Sequence, residues 1–567
     1  MINFKEQFAI NISKILNKDK DEIFKFIEQP PDFSLGDLSF PCFSLSKELK
    51  KSPQDIAKEL TEKLQKEKQD TFEYFSVNGY INLRISHNQL YKETITEVLK
   101  EKENYGKPKI ITKEQYVIDT FNANPFKTLH VGHLRMIVGG DSISRLLAFS
   151  GYDPKPVYYG GDVGTHVAKW YWYYTKYLTD KQREIPKTNV AKWFGEIYLK
   201  AGEKAKSESN STEEIDELQK EILTNRDLQI TIAKLRDSCF QAYMQVKDEL
   251  KVTLIDKIFE SESEKKFLEI KDDLIKKHKD VITESQDAVI ADLKDQKLDV
   301  IVLIKKNGAP LYGAKDIALV QVKQQKFPKC NHFIYVVGAE QDFYFKQLFA
   351  LFSDIYPNTT HEHISLGMVN LSTGKMASRA GGMILYEDLR DMLKEKAKEI
   401  LIENNLEIDN EIINKIVFGT IKFEMLKIGF NKTFVFDINS ALDLQGDSSV
   451  YVQYSGVRAK SILRKVSAIS DTTEIKPIQL EDDEHKLLNL IYQFSNKVEY
   501  ATKERKPNII ASYCLDLSHT FNKFYTNCQV INEAKNIKNQ RLLLIKAYLQ
   551  CLENALDLLG IEIPEKM

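Results

Sequence analysis

Two hydrophobic periods alternate along this chain, and the places where one gives way to the other predict its layout. In the first hundred residues both occur. Pro53-Gln54-Asp55-Ile56-Ala57-Lys58-Glu59-Leu60 carries apolar residues at helical spacing, with Pro53 suited to a first helical turn. Tyr80-Ile81-Asn82-Leu83-Arg84-Ile85 alternates as a half-buried strand does, after a Val77-Asn78-Gly79 turn. A polar stretch over residues 100–109, with Gly106 and Pro108, reads as a linker. From Ile110 onward, apolar β-rich runs at 115–120, 156–159, 300–304 and 332–338 are separated by helical segments. That order predicts a parallel sheet with helices on both faces, because parallel neighbours need long crossovers. Between about residues 170 and 295 lies a long, charged, mostly helical insertion, whose polar run 204–214 reads as a solvated loop. After Leu385 the pattern is helical almost throughout. Leu487-Leu488-Asn489-Leu490-Ile491-Tyr492 and residues 542–549 predict a bundle of antiparallel helices.

Composition narrows the class. The 567 residues, 43% hydrophobic and 29% charged, fit a globular protein with several domains. A formal net charge of −2 excludes a uniformly basic nucleic-acid binder but leaves room for a local basic face. Six cysteines, at 42, 239, 330, 514, 528 and 551, show no Cys-x-x-Cys spacing. They read as reduced structural thiols, and no zinc site is expected. The first residues lack the apolar core of a signal peptide, and no apolar run reaches the length of a membrane span. A cytoplasmic location without membrane association is the expectation.

The chemistry concentrates at His130-Val131-Gly132-His133, between the β-rich run 115–120 and Leu134-Arg135-Met136-Ile137-Val138. This is strand, short loop, helix start. A helix N-terminus presents unpaired N–H groups and partial positive charge, which favour phosphate. Gly132 lets a nucleotide approach the backbone, and the imidazoles can donate to phosphate oxygens as charge develops. The alternative for the histidines is a pair of polar surface residues at a helix start. A second signal is the cationic loop Gly374-Lys375-Met376-Ala377-Ser378-Arg379-Ala380-Gly381-Gly382, suited to a pyrophosphate leaving group.

Together these residues resemble a class I aminoacyl-tRNA synthetase, and in detail the arginyl-tRNA synthetases. The segment Asp119-Thr120-Phe121-Asn122-Ala123-Asn124-Pro125, with Leu129 to His133, is similar to the family's long first signature. Tyr158-Tyr159-Gly160-Gly161-Asp162-Val163-Gly164, residues 307–318, Tyr335-Val336-Val337-Gly338-Ala339-Glu340-Gln341 and Gly367-Met368-Val369 resemble further blocks. Tyr451-Val452-Gln453-Tyr454 with Arg458 resembles the start of the C-terminal domain, and Leu558-Leu559-Gly560-Ile561 its end. The resemblance covers essentially the whole chain.

The resemblance implies a multidomain α/β protein and a residue-by-residue site. Residues 1–105 would form an α+β tRNA-contacting domain and 106–400 a Rossmann-like catalytic domain with the insertion at about 170–295. A helical connector over 401–447 and an all-α anticodon-binding bundle over 448–567 would follow. The implied reaction is ATP-dependent activation of L-arginine and its transfer to tRNA(Arg), with Mg²⁺ accompanying ATP and the protein acting as a monomer. Members generally need tRNA present before they activate arginine efficiently. His130, Gly132, His133, Gly338, Met368, Val369 and Lys375 would meet ATP, with Ser378 beside Lys375. Asp119, Asn122, Asn124, Tyr312, Asp316 and Gln341 would hold arginine. Tyr312 and Asp316 lie four apart on one helix face, where a carboxylate can read a guanidinium. The alternative for that pair is a helix cap with a packing tyrosine.

Two departures stand out. Asp119 replaces the usual glutamate, which shortens its reach by one methylene. The usual Lys-Met-Ser-Lys loop reads Lys375-Met376-Ala377-Ser378, so its second lysine is missing. Lys127, three residues before His130, is expected to supply that charge, with Arg379 a weaker candidate; a solvated loop lysine is the alternative. Two other functions remain in view, a cytidylyltransferase and a synthetase-derived RNA-binding protein without catalysis. For the C-terminal aromatics, including Phe521, Phe524 and Tyr525, core packing is expected.

Overall fold

The computed structural model describes residues 4–28, 30, 35–66, 71–108, 112–306, 308–371, 384–403, 406–466 and 479–567. They fall into two compact units. One comprises residues 107–454, 497–514 and 555–567, and the other residues 1–106, 455–496 and 515–554.

The first unit is built on five parallel strands: β1 (Gln115–Phe121), β2 (Asp153–Gly160), β3 (Asp256–Phe259), β4 (Cys330–Gly338) and β5 (Thr360–Leu366). Their order is β5-β4-β1-β2-β3. Successive side chains of a strand point to opposite faces, and here both faces are apolar. Val117 packs with Phe333 and Tyr335 against Ile317, Ala318 and Val320 of helix α5 (Tyr312–Lys326) on one side. Ile118 packs with Ile334 and Val336 against Met136, Ile143 and Leu147 of helix α1 (Val131–Phe149) on the other. Helix α1 comes so close to β1 that a Cβ on Gly140 would lie 2.6 Å from Thr120 Cβ. The connection from β1 leads to β2 on one side, and that from β4 leads to β5 on the other. The crevice beyond the carboxyl ends of β1 and β4 is therefore the topological switch point, where such sheets bind ligands.

Two local expectations are corrected and two are refined. Val300–Ile304 is not in the parallel sheet; it is an outer strand of an antiparallel sheet with Ile282–Ser285 and Ala288–Asp292. Its five apolar residues disguise a half-buried strand, for Ile301 and Leu303 are buried while Val302 is exposed. The sheet's fifth strand, Asp256–Phe259, comes from within the supposedly helical insertion and opens with two charged residues. The run 204–214 is not a loop. Helices Val190–Ser207 and Ser211–Thr224 leave only a short turn, tied down by Lys176, which meets Glu208 at 3.0 Å and Glu214 at 2.7 Å. Beyond Leu385 one short strand interrupts the helices, Phe434–Phe436, which pairs in parallel with Val369–Leu371.

In the second unit, Tyr80–Ile85 is the central strand of an antiparallel three-stranded sheet with Leu38–Pro41 and Phe72–Val77. Pro53 opens the helix Pro53–Lys66, as its fixed φ and missing N–H allow. Buried polar groups tie this segment to the later helices within the unit. Tyr91 donates to the Gln540 carbonyl, Tyr105 to that of Ile491, and the Asn489 amide to Asp37. Phe521 stacks on Tyr548 at 3.9 Å and Phe524 is buried, so these rings are core, whereas Tyr525 is partly exposed. All six cysteines are buried. Among the described residues no helix is long and apolar enough to cross a membrane, and no group of three or more His, Cys, Asp or Glu side chains is arranged to hold a metal ion.

The contact between α1 and β1 makes Gly140 a sensitive position. Gly140→Val is expected to cost about 2 kcal/mol, because Thr120 presents backbone and Cβ atoms that cannot swing aside. A urea midpoint equal to that of the parent would remove this account of the packing.

Candidate active site

Strand β1 ends at Phe121, and the chain reaches α1 through residues 122–130, so His130 and His133 sit at the switch-point crevice. The two histidines close the helix start reciprocally. His130 Nδ1 accepts the N–H of Gly132 at 3.1 Å, and His133 Nδ1 accepts the N–H of His130 at 3.3 Å. In a neutral ring with Nδ1 accepting, the proton resides on Nε2. Burial lowers the His130 pKa to about 4, and burial with the neighbouring His130 and Lys127 charges pushes His133 down as well. At neutral pH both rings are therefore uncharged, each with one Nε2–H to offer. Gly132 is exposed, and a Cβ there would press on His130 at 3.0 Å.

The segment that follows residue 383 returns to the same place. Val131 N–H donates to Ile384 O at 3.1 Å and Tyr386 N–H to Leu129 O at 3.0 Å. The chain is thus anchored beside His130 from Ile384 onward; Lys375, Ser378 and Arg379 lie outside the described residues, as does Asn307. On the other side, the buried Arg135 reaches from α1 to three backbone carbonyls, those of Gly367 (2.8 Å), Lys432 (2.7 Å) and Gly429 (3.0 Å). It also lies over the Phe434 ring. This fixes the position of Met368 and Val369. Met368 is 69% exposed, and its carbonyl accepts from Phe434 N–H.

Strand β1, helix α5 and the helix Glu260–Lys277 that follows β3 bring together an acidic group. Asp316 accepts a hydrogen bond from Tyr344, yet its pKa rises to about 7 because it is desolvated and faces the Glu260 and Asp119 charges. Glu260 pairs with Lys315 at 3.1 Å, and Lys315 also holds Glu264 at 2.8 Å. What the shortened Asp119 meets is Lys323: Oδ2 lies 2.7 Å from Nζ in a fully buried pair. Asp119 Oδ1 and Asn122 Oδ1 are buried with no hydrogen-bond partner. Asn124 accepts the Gly161 N–H at 2.8 Å, joining the loops after β1 and β2. Gly338 ends β4 and Gln341 follows it by three residues, and both are half-buried. Tyr312 is neither a cap nor a packed ring: Leu311 is the N-cap, and Tyr312 is 72% exposed at the start of α5.

Lys127 sits among these groups. Its ammonium is half-buried and close enough to Lys169, Glu260, His133 and His166 to feel or exert charge, and burial lowers its pKa. Sequence reasoning missed Lys323, Tyr344, Glu260 and Arg135. Lys323 carried a signal: it lies seven residues, two helical turns, after Asp316 and so on the same face of the helix. Arg135 and Glu260 sit at ordinary helix-start positions, and nothing local marks them.

A parallel sheet with paired histidines at its switch point and a carboxylate pocket alongside defines a class I nucleotide-activating core. Comparison with known proteins makes this specific. A family model described as "tRNA synthetases class I (R), catalytic domain" matches residues 94–438. Models described as "Arginyl tRNA synthetase N terminal domain" and "DALR anticodon binding domain" match 3–85 and 452–567. Arginine–tRNA ligases of Clostridium acetobutylicum and Clostridium perfringens are 30% and 31% identical over 580 and 577 aligned positions, covering 100% of both chains in each case. The solved Thermus thermophilus arginyl-tRNA synthetase shares the fold, with a TM-score of 0.81 at 24% identity and full coverage of both chains. The chain belongs to the class I arginyl-tRNA synthetases. Coverage from end to end displaces the cytidylyltransferase reading, which explains only the first motif.

Arg135 is the residue that ties α1 to the segment around Met368. Arg135→Met is expected to lower stability by about 3 kcal/mol, since three carbonyls lose a charged donor. It should also raise the KM for ATP several-fold. Unchanged denaturation together with unchanged ATP KM would show that the clamp is dispensable.

Proposed function

We propose that this chain ligates L-arginine to tRNA(Arg), activating arginine with ATP at the switch-point crevice. The support is the pairing of uncharged, Nε2–H-bearing histidines with an acidic pocket that holds one orphaned carboxylate oxygen, Asp119 Oδ1, and one orphaned amide oxygen, Asn122 Oδ1. In the first step the arginine carboxylate attacks the α-phosphorus of ATP, a P–O bond forms, and the bond to the bridging oxygen breaks to release pyrophosphate. The attacking group is already ionised, so no general base is required. The enzyme has to align the reactants and stabilise the charge on the five-coordinate phosphorus. His130 and His133 donate to phosphate oxygens through Nε2–H, Gly132 lets the nucleotide lie against the helix start, and Lys127 and Lys375 flank the leaving group, with Ser378 beside Lys375. Gly338, Met368 and Val369 line the nucleotide side. Mg²⁺ enters with ATP as part of the substrate complex. In the second step a terminal ribose hydroxyl of tRNA attacks the adenylate carbonyl, and AMP leaves.

The guanidinium of arginine is read by Asp316, with Tyr312 closing over it and Gln341, Asn122 and Asn124 around the amino-acid backbone. Asp119 contributes its free Oδ1. A cation entering this pocket meets carboxylates that repel one another while it is empty, so binding relieves the desolvation that raises Asp316. Residues 1–105 and 448–567 serve as the tRNA-contacting and anticodon-binding domains, 106–400 as the catalytic domain and 401–447 as the connector. The enzyme acts as a monomer in the cytoplasm.

Pyrophosphate exchange that depends on both arginine and cognate tRNA is the deciding assay; its absence with tRNA present leaves the non-catalytic RNA-binding reading. In that assay Lys127→Ala should slow exchange by about two orders of magnitude with little change in arginine KM. Near-normal exchange would make Lys127 a solvated loop residue. The raised Asp316 pKa predicts a pH dependence of definite sign. Below about 7 the empty pocket holds a proton that arginine must displace. Arginine KM should thus climb as pH falls, by up to about tenfold per unit, with proton uptake reversed on binding. Asp316→Asn should remove that slope and raise KM at all pH. A KM flat between pH 8 and 6 in the parent enzyme would exclude Asp316 as the guanidinium's carboxylate.

A further inference from the structure

The described residues include thirteen non-glycine positions with positive φ, and Phe126 (φ 68°) is the one apolar residue among them. The others are polar and lie on the surface or partly so; Phe126 is 1% exposed. A bulky residue persists in the left-handed region only when its surroundings over-determine it. Here they do, and every constraint comes from the helical insertion. The ring is held by Trp170 (5.0 Å between centroids) from the helix Thr165–Tyr177 and by Phe194 (5.9 Å) from the helix Val190–Ser207. Its N–H points at Cys239 Sγ at 3.4 Å, on the helix Arg226–Glu249. One turn further along that helix, the buried Tyr243 hydroxyl lies 3.0 Å from Asn124 O and 2.9 Å from Lys127 O. Lys127 N–H in turn reaches Asn124 O at 3.3 Å, so the hydroxyl clasps both ends of a tight turn. Immediately after it, Thr128 packs on Gly195, where a Cβ would lie 2.7 Å from Thr128 Cγ2.

We propose that the helical insertion is the positioning frame for Lys127: Tyr243, Cys239 and the Trp170–Phe194 pair hold Phe126 left-handed so that the next residue is delivered to the phosphate side of the site. Tyr243 and Phe126 are then positioning residues that act through Lys127. The inference rests on the reading that Lys127 meets phosphate. A free loop would let this lysine sample many directions, and a displacement of about 1 Å at a reacting group can cost a hundredfold in rate. A fixed backbone removes that freedom before ATP arrives. It also gives the insertion a task that its charged surface does not reveal.

A double-mutant cycle in tRNA-dependent pyrophosphate exchange tests this. Tyr243→Phe, which removes only the hydroxyl, and Phe126→Leu, which keeps an apolar filler, should each slow exchange at saturating substrate by about tenfold. Arginine KM should stay within about twofold, and urea midpoints should shift too little to account for the loss. In a Lys127→Ala background the same substitutions should change exchange by less than about twofold, because the group they position is gone. Equal factors in both backgrounds, or no slowing in the parent, would overturn the positioning role while leaving Lys127 itself in place. Wild-type exchange by Lys127→Ala alone would overturn the Lys127 reading, and this one with it.

Discussion

Parallel pairing of β1 with β4, whose connections leave in opposite directions, opens a crevice at their carboxyl ends that no neighbouring helix can cover. Every functional group described above is delivered to that crevice by an element whose course the pairing dictates. The chain leaving β1 must turn back along one face as α1, which brings the two histidines and their helix N-terminus to the opening. The chain leaving β4 places Gly338 and Gln341 on the opposite lip. Because both faces of the sheet are apolar, α1 and α5 are pressed against them, and α5 carries Asp316 and Lys323 to the same end.

Electrostatics in the crevice are shaped chiefly by desolvation. The histidines lose their positive charge and keep a single, directed donor each. Asp316 keeps its acceptor capacity but is held short of full ionisation by burial and by the neighbouring Glu260 and Asp119 charges. Lys323 offsets part of this from below, in a pair with Asp119 that has no contact with water. A buried pair of this kind is weak evidence for added stability, since the desolvation of both ions opposes their attraction. Its consequence is rather that one oxygen of Asp119 is fixed while the other stays available for a cation. On the proposed reading, the pocket prefers a guanidinium, with several donors, over an uncharged side chain.

Around this centre the remaining structure restricts motion. Arg135 draws three carbonyls of distant segments onto α1, and the pairing of Leu129 and Val131 with Ile384 and Tyr386 moors the chain at the start of the helix Tyr386–Glu403. Tyr386 and Arg390 are held in turn by Glu249, at the end of the helix that carries Tyr243. The loop between β1 and α1 is therefore gripped from the insertion on one side and from the returning segment on the other.

Local sequence determined much of this. The helix start at His130, the strand at 115–121, the opening of Pro53–Lys66 and the central strand Tyr80–Ile85 follow from capping, periodicity and proline geometry, which act over a few residues. The order of motifs was enough to read an arginyl-tRNA synthetase, and the roles proposed for Lys127 and Asp316 rest on their fixed spacing from those motifs. Tertiary structure alone decided the rest. Val300–Ile304 is as apolar as a core strand, yet it pairs elsewhere, since pairing partners are chosen by the sheet edges available and not by hydrophobicity. Asp256–Phe259 looks too polar for a strand, but a sheet edge needs only backbone groups. Lys204 to Glu214 reads as loop because nothing nearby announces Lys176, which gathers its carboxylates. Lys323, Tyr344, Glu260 and Arg135 lie far along the chain from the groups they touch, and only the folded backbone brings charges together at distances where desolvation governs their behaviour.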